Sequence, residues 1–563
     1  MKRGKGKGEG GREKRLSDGF LNFPLFSFLL PLLFLSACAT PTPQILFPSP
    51  GATLTNPIYL EANTTVRWYL GKELLGEGSS WSGNLKPGEH TVRAQAGGEV
   101  SMALRVEEDF PIGKIRNIAA GQKTIDLPGG KYKAIWGNTT GQTLRWPGSS
   151  DTVASSTSEV MNPSEHDLLR PFEQKLFAKP QRKIPFTLNA QSEYQPGSVR
   201  EFRLLNLEST GSEVIEAELV WSGVNTLAYV HQAKGVDLSE IGTRVSPIAR
   251  DFDNRILRRI HAAFGPHADV DNNHKVILLF SPRLNASKFA VGFFYVGDLL
   301  ANGPDNPDSN QAEVLYLGLP EVGNFNFSSA SLAATACHEF QHLVNFSNFS
   351  LPYIENPEPP FAPLWLNEGM SHLAEDLCGY NTLGGNLAFV ARYLNKAHQT
   401  SLSESNLEGQ GDTIERRGAG YLFMRYLTEL KGGVTVDGAE LKGDGGQFLH
   451  RLLGQRLGNL TDIAKTAGME PAEVLWRWWW MLAGVEGSYQ NPVLDPSTSD
   501  HLGVDLHLGH VQLTDQYGFE LDGLKPVEGW PKALPAHAFA LRELAGPLHL
   551  EIPPGSVQVV RLE

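Results

Sequence analysis

His338-Glu339-Phe340-Gln341-His342 is the stretch that decides how the rest of the chain is read. On a helix, two histidines four positions apart lie one above the other, about 6 Å apart in rise, close enough to grip one metal ion. Glu339 sits beside them, where its carboxylate can take a proton from water on that metal. The helix context is present: Leu332, Ala336, Phe340 and Leu343 make a buried stripe, and the histidines lie off it. Such a motif also arises by chance, so a third ligand is needed to decide the matter.

Trp365-Leu366-Asn367-Glu368-Gly369-Met370-Ser371-His372 supplies a candidate, with Glu368 26 positions after His342. The Pro-rich segment 352–363 between them is long enough to reverse the chain. Leu366, Met370, Leu373 and Leu377 recur at i, i+4, i+7 and i+11, so the second segment reads as an amphipathic helix. Glu368 lies off that stripe and can face the two histidines. Two histidines and one carboxylate leave a fourth position to water, as catalytic zinc sites do; a structural site would close it. The plainer alternative is a surface Glu on a packed helix. The expectation is one catalytic Zn2+ held by His338, His342 and Glu368, with Glu339 as general base.

An HExxH motif followed by W-L-N-E-G resembles the gluzincin clan of metallopeptidases. The nearer resemblance is to the hyicolysin family of bacterial secreted neutral metalloproteases. It is carried by Phe264-Gly265 with Asp269-Val270-Asp271-Asn272, by Gly292-Phe293-Phe294, by residues 338–346, by residues 366–376, and by Gly418-Ala419-Gly420-Tyr421-Leu422-Phe423. It spans about residues 200–490. The resemblance implies a thermolysin-like catalytic fold, His338, His342 and Glu368 as zinc ligands, and Glu339 as the base. Related gluzincins often carry a Tyr just before the Gly-Ala, as donor to the transition-state oxyanion. Arg416 and Arg417 stand there in this chain, so Arg417, Tyr421 or His372 is left to supply the donor. The Gly-x-Met-Glu-Asn strand of the aminopeptidase branch does not occur, which favours an endopeptidase acting on protein or peptide substrates. A narrow-specificity peptidase or aminopeptidase, and an inactive surface-binding lipoprotein, are the alternatives.

The N-terminus points to export. In residues 1–37, seven basic residues against Glu9, Glu13 and Asp18 give a charge of +4, leaving −17 of the total −13 on the rest. The apolar run from Phe20 to Leu35, broken by Pro24 and Pro31, is short of the ~20 residues of a membrane span. It ends Leu35-Ser36-Ala37-Cys38, which resembles a bacterial lipobox. That implies lipid attachment at Cys38 and a protein held to the bilayer, facing away from the cytoplasm. So acidic a chain is a poor general partner for nucleic acid. With 3 Cys in 563 residues, a disulfide scaffold and a four-thiolate zinc site are excluded.

The expected architecture is multidomain α+β: β-sandwich modules, then the thermolysin-like (gluzincin) catalytic domain, then a short β C-terminal segment. The boundaries are a lipoprotein signal peptide over 1–37, a tether over 38–50, an immunoglobulin-like β module over 51–109, a β-rich domain over 110–235, the catalytic domain over 236–490 and the β segment over 491–563. Residues 125–132 read as strand, turn, strand around Pro128-Gly129-Gly130. Ser246 and Pro247 read as the cap and first residue of a helix ending at Phe264. Asp269, Asp271 and Asn273 offer oxygens at Ca2+-like spacing, but His274 and Phe280 stand where an EF-hand wants Gly and Glu, and an Asx-rich turn is the plainer reading. Cys337 and Cys378 read as a disulfide or two buried thiols. Trp476, Trp478, Trp479 and Trp480 read as helix packing.

Overall fold

The computed structural model describes residues 42–107, 112–118, 121–146, 165–185, 194–207, 211–286, 291–321, 327–380, 386–403, 413–485, 504–505, 512–513 and 524–563. The expected signal sequence, Cys38 and most of the Ser/Thr-rich stretch 148–165 lie outside them. The chain is mixed α and β with several sheets, as expected. Among the described residues, no helix is long and apolar enough to cross a membrane.

The first unit holds β1 (Ile45–Phe47), β2 (Ala52–Thr55), β3 (Ile58–Leu70), β4 (Glu73–Gly83), β5 (Gly88–Gln95) and β6 (Glu99–Glu107). They form one continuous sheet in the order β1-β3-β5-β6-β2, with β4 on β3, rather than two separately bonded layers. β1 lies inside the expected tether, so the module begins earlier than residue 51. Side chains alternate across β3, and Ile58, Leu60, Val66 and Trp68 face a core shared with Val92 and Leu104.

The next strands depart from the sequence reading. β7 (Ile115–Ile118) and β8 (Thr124–Gly137) precede β9 (Leu144–Arg145), and β8 runs straight through Pro128-Gly129-Gly130. The three residues do not turn the chain; Gly130 sits opposite Gly546, where the register shifts. An irregular step absorbs them, a common place for Pro and Gly within a strand. α1 (Glu165–Phe177) follows. β10 (Val199–Leu205), β11 (Ser212–Ser222) and β12 (Thr226–His231) then join the central sheet, not β8. The expected 110–235 unit is therefore divided between two sheets.

The central sheet continues through α2 (Leu238–Asp251), a π turn (Phe252–Ile256) and α3 (Leu257–Phe264), then β13 (Val276–Phe280), α4 (Pro282–Ala286), β14 (Gly292–Phe294) and β15 (Val314–Leu317). Its order is β10-β11-β12-β13-β15-β14, with β12, β13 and β15 parallel. β12, β13 and β15 are buried along their whole length because both faces of the sheet are covered. The helix begins nine residues before the expected start. Asp237 caps it, accepting from the Ser239 and Glu240 amides, while the Ser246 hydroxyl bonds back to the Gly242 carbonyl. The carboxylate is placed to cap two amides at once, and Pro247 falls in the helix interior.

Helices follow: α5 (Ser329–Phe349), α6 (Leu364–Leu377), α7 (Asn386–Asn395) and α8 (Ile414–Leu430). A small hairpin of β16 (Thr435–Asp437) and β17 (Glu440–Lys442) leads to α9 (Asp444–Gly454), α10 (Leu460–Thr466) and α11 (Pro471–Leu482). After the short pair β18 (Val504–Asp505) and β19 (Gln512–Leu513) come β20 (Ala533–Leu534), β21 (Phe539–Glu551) and β22 (Ser556–Arg561). β21 and β22 flank β8, giving the order β21-β8-β22-β7. The C-terminal segment thus completes a sheet begun 400 residues earlier in sequence, as the pairing of Phe539 with Gly137 shows. One face of that sheet presents Ile135, Phe539, Leu541 and Val560 to the main core, and the other buries Trp136, Val557 and Val559.

Candidate metal centre

α5 carries the motif, and the structure places it as a buried helix packed beside β14 and β15, with α6 across it. Ser328 caps α5 by accepting from the Ser331 amide at 3.0 Å. α6 starts only at Leu364, after the Pro-rich loop has turned the chain back. The antiparallel return brings Glu368 onto the histidines.

The donor atoms converge. His338 Nε2 lies 3.1 Å from His342 Nε2. Glu368 Oε2 is 3.6 Å from His338 Nε2, and its Oε1 is 3.5 Å from His342 Nε2. The carboxylate contacts are too long for good hydrogen bonds. All three fit the edges of a tetrahedron about one zinc ion, ~3.3–3.4 Å for ligands at ~2.0–2.1 Å. Glu339, next to His338 on α5, is 3 % exposed.

The outer nitrogens show which lone pairs face inward. His338 Nδ1 is 2.7 Å from Glu375 Oε1, a partner that can only accept. Ser371 Oγ donates to Gln341 Oε1 at 2.6 Å, so it is left to accept from His342 Nδ1 at 3.0 Å. Each Nδ1 therefore carries a proton, and both Nε2 atoms point into the centre, where they can offer lone pairs to a metal. Two ring nitrogens 3.1 Å apart need a proton or a metal ion between them. Burial disfavours the charged form of His338, but the neighbouring Glu368 and Glu375 carboxylates outweigh it and raise its pKa well above the usual range, so that without a metal His338 holds an extra proton. Burial likewise pushes Glu375 up, yet His372 and His338 hold it below the ordinary carboxylate range, so it stays ionised.

His372 also reaches the centre. Its Nδ1 is 2.9 Å from the same Glu375 oxygen, and its buried Nε2, which has no hydrogen-bond partner, is 3.9 Å from Glu368 Oε2. His338, Glu368 and His372 can themselves bring donor atoms within 4.8 Å of one another. The set with His342 is tighter, so His372 is better placed at the rim of the fourth position. Arg417 Nη1 is 3.3 Å from Glu368 Oε2. Tyr421, the third candidate donor, is committed elsewhere: its hydroxyl donates to Asp376 Oδ2 at 2.7 Å. That leaves His372 and Arg417.

Glu375 and Ser371 were not singled out from sequence. The signal was there: Glu375 is seven positions after Glu368, hence two turns along the same face of α6. Cys337 and Cys378 are two buried thiols, with Cys337 Sγ donating to the Ala374 carbonyl at 3.1 Å. Trp478, Trp479 and Trp480 are buried and pack as expected. Beside His342 opens a cavity of about 420 Å3, lined by Phe294, Asn345, Phe346, Phe361 and Leu364.

The neutral metalloprotease ShpI of Staphylococcus hyicus is 29 % identical to this chain over 269 residues. This chain is related in sequence to a metalloprotease. The match covers 46 % of this chain and 58 % of that protein's length. No family model matches. The solved structure of native yeast LTA4 hydrolase aligns over 46 % of this chain and 39 % of its own, at 10 % identity and a TM-score of 0.25, too low to carry an argument.

Proposed function

We propose that this chain is a zinc-dependent endopeptidase. The observation that carries the reading is the triangle of His338 Nε2, His342 Nε2 and Glu368, with edges of 3.1, 3.5 and 3.6 Å and with Glu339 on the same helix. Zinc held there would supply a Lewis acid that polarises the scissile carbonyl and acidifies water. Glu339 takes the proton from the attacking water and passes it to the leaving nitrogen. His372 or Arg417 donates to the oxyanion as charge builds on it. The cavity beside His342 is mostly apolar and suits a large apolar side chain next to the cleaved bond.

The Glu339→Gln variant tests the reading on casein and on an end-blocked peptide. It should retain one zinc per chain and lose roughly 10²–10⁴-fold in kcat. A chelator should abolish wild-type turnover. Undiminished proteolysis by the variant would overturn the assignment, and cleavage confined to unblocked peptides would make it an exopeptidase.

Export and lipid attachment at Cys38 belong to the same proposal, supported by the basic, apolar and Leu-Ser-Ala-Cys segments of the N-terminus. The protein would then face its substrates from the bilayer surface. Replacing Cys38→Ala should move it from the membrane to the soluble fraction; an unchanged distribution would refute anchoring there.

A further inference from the structure

The loop from Gly265 to Lys275, between α3 and β13, carries a second group of acidic side chains. Ligand oxygens of Asp269, Asp271 and Glu313 all lie within 4.8 Å of one another. Two of them belong to the loop, and Glu313 comes from the residue just before β15. Most of their oxygens have work within the loop. Asp269 Oδ1 accepts from the Asn273 and His274 amides at 3.0 and 3.1 Å, and Asp269 Oδ2 is 2.5 Å from His274 Nδ1. Asp271 Oδ2 accepts from Asn273 Nδ2 at 2.8 Å. Glu313 Oε1 accepts from the Val270 amide at 2.5 Å.

Glu313 Oε2 is different. Glu313 is 0 % exposed, and this oxygen has no hydrogen-bond partner. A buried carboxylate oxygen left in that state is costly, and two further carboxylates beside it add repulsion. Burial pushes the Glu313 pKa well up and, against the pull of Arg200, raises Asp271 to about 6. Besides His274, which lies against Asp269 alone, Arg200 is a nearby basic group, but its Nη2 donates to the Asn310 carbonyl at 3.4 Å and its guanidinium lies over the Phe202 ring. Either protons or a metal ion must relieve this group.

We propose that Asp269, Asp271 and Glu313 bind one calcium ion. The donors are hard oxygens with three potential negative charges, which suits Ca2+ and not a soft-ligand metal. Oxygens on opposite sides of a calcium ion lie ~4.6–5.2 Å apart, so a group within 4.8 Å can share one. The ion would tie the loop to the start of β15. The same loop places His267 against Phe340 of α5, with ring centroids 5.4 Å apart, so calcium would also steady the helix that carries the zinc ligands.

The test uses the full zinc-loaded chain, dialysed free of calcium and titrated with CaCl2 by calorimetry and thermal unfolding. One calcium per chain should bind, and 10 mM Ca2+ should raise Tm by about 2–4 °C or more. Glu313→Gln and Asp271→Asn should each weaken calcium binding at least ~10-fold while keeping one zinc. Should either fail to fold, Asp269→Asn at the loop edge makes the same comparison. Absence of wild-type binding and of any Tm shift would overturn the proposal and leave protonation as the explanation. Unchanged calcium affinity in the variants, or tighter binding of Mg2+ than of Ca2+, would overturn it too.

Discussion

At the scale of single residues, the candidate centre is held by groups that lie behind its donor atoms. Glu375 holds His338 and His372 by one oxygen, 2.7 and 2.9 Å from their Nδ1 atoms. It orients both rings and keeps both Nε2 atoms turned inward. Removing it by Glu375→Ala should weaken zinc binding about 10–100-fold, measured by competition with a chromophoric chelator. Glu375→Gln keeps an acceptor and should recover part of that loss. Unchanged zinc affinity in the Ala variant would show that packing alone orients the rings. The candidate ligands His338, His342 and Glu368 could be picked out in sequence because an i, i+4 pair and an off-stripe Glu are one-dimensional patterns. The fate of Tyr421 was not, because it depends on Asp376, whose side chain meets it only after α6 and α8 pack.

At the scale of elements, α6 and α8 touch almost backbone to backbone. A Cβ on Gly369 would meet the Gly420 carbonyl oxygen at 2.7 Å, and one on Gly420 would meet the Trp365 carbonyl oxygen at 2.6 Å. This gives the Gly418-Ala419-Gly420 motif its physical meaning: Gly420 lets α8 approach the helix turn that bears Glu368. Gly420→Ala must push the helices apart by several tenths of an ångström. The cost should be about 1–3 kcal/mol of stability. Because Glu368 adjoins the contact, kcat should fall roughly 10–100-fold in the folded fraction. Thermal unfolding and single-turnover peptide cleavage measure the two effects; a variant unchanged in both would refute the close-approach argument. Helix starts show the limit of local reading here. Ser246-Pro247 has the composition of a cap, yet Asp237 caps the helix nine residues earlier, because the packing of Ile241 and Val245 into the main core decides where helix is needed.

At the scale of the whole molecule, the C-terminal segment is not a tail. Strand periodicity made β21 and β22 legible, but no local signal could pair them with β8 across the central sheet and helices that lie between them in sequence. The pairing is set by what α11 needs covered. Phe539 stacks on Trp479 with centroids 5.5 Å apart, Trp480 Nε1 donates to Gln558 Oε1 at 2.5 Å, and Lys133 Nζ donates to the Ala483 carbonyl at 2.5 Å. The fit is tight at Gly137, where a Cβ would meet Trp479 at 2.4 Å and Trp476 at 2.7 Å. Deleting residues 524–563 would strip β8 of both its neighbours and uncover the tryptophan face of α11. Exposed strand edges and a bared apolar patch both favour aggregation. A chain ending at residue 523 should therefore be recovered mainly as insoluble protein, although His338, His342 and Glu368 are all retained. Gly137→Leu offers a milder version, expected to lower Tm by wedging the sheet away from α11 while leaving the zinc site intact. If the truncated chain were instead soluble, with wild-type Tm and full peptidase activity, the sheet would be an accessory, and the catalytic unit would stand on the core formed by residues 199–485 alone.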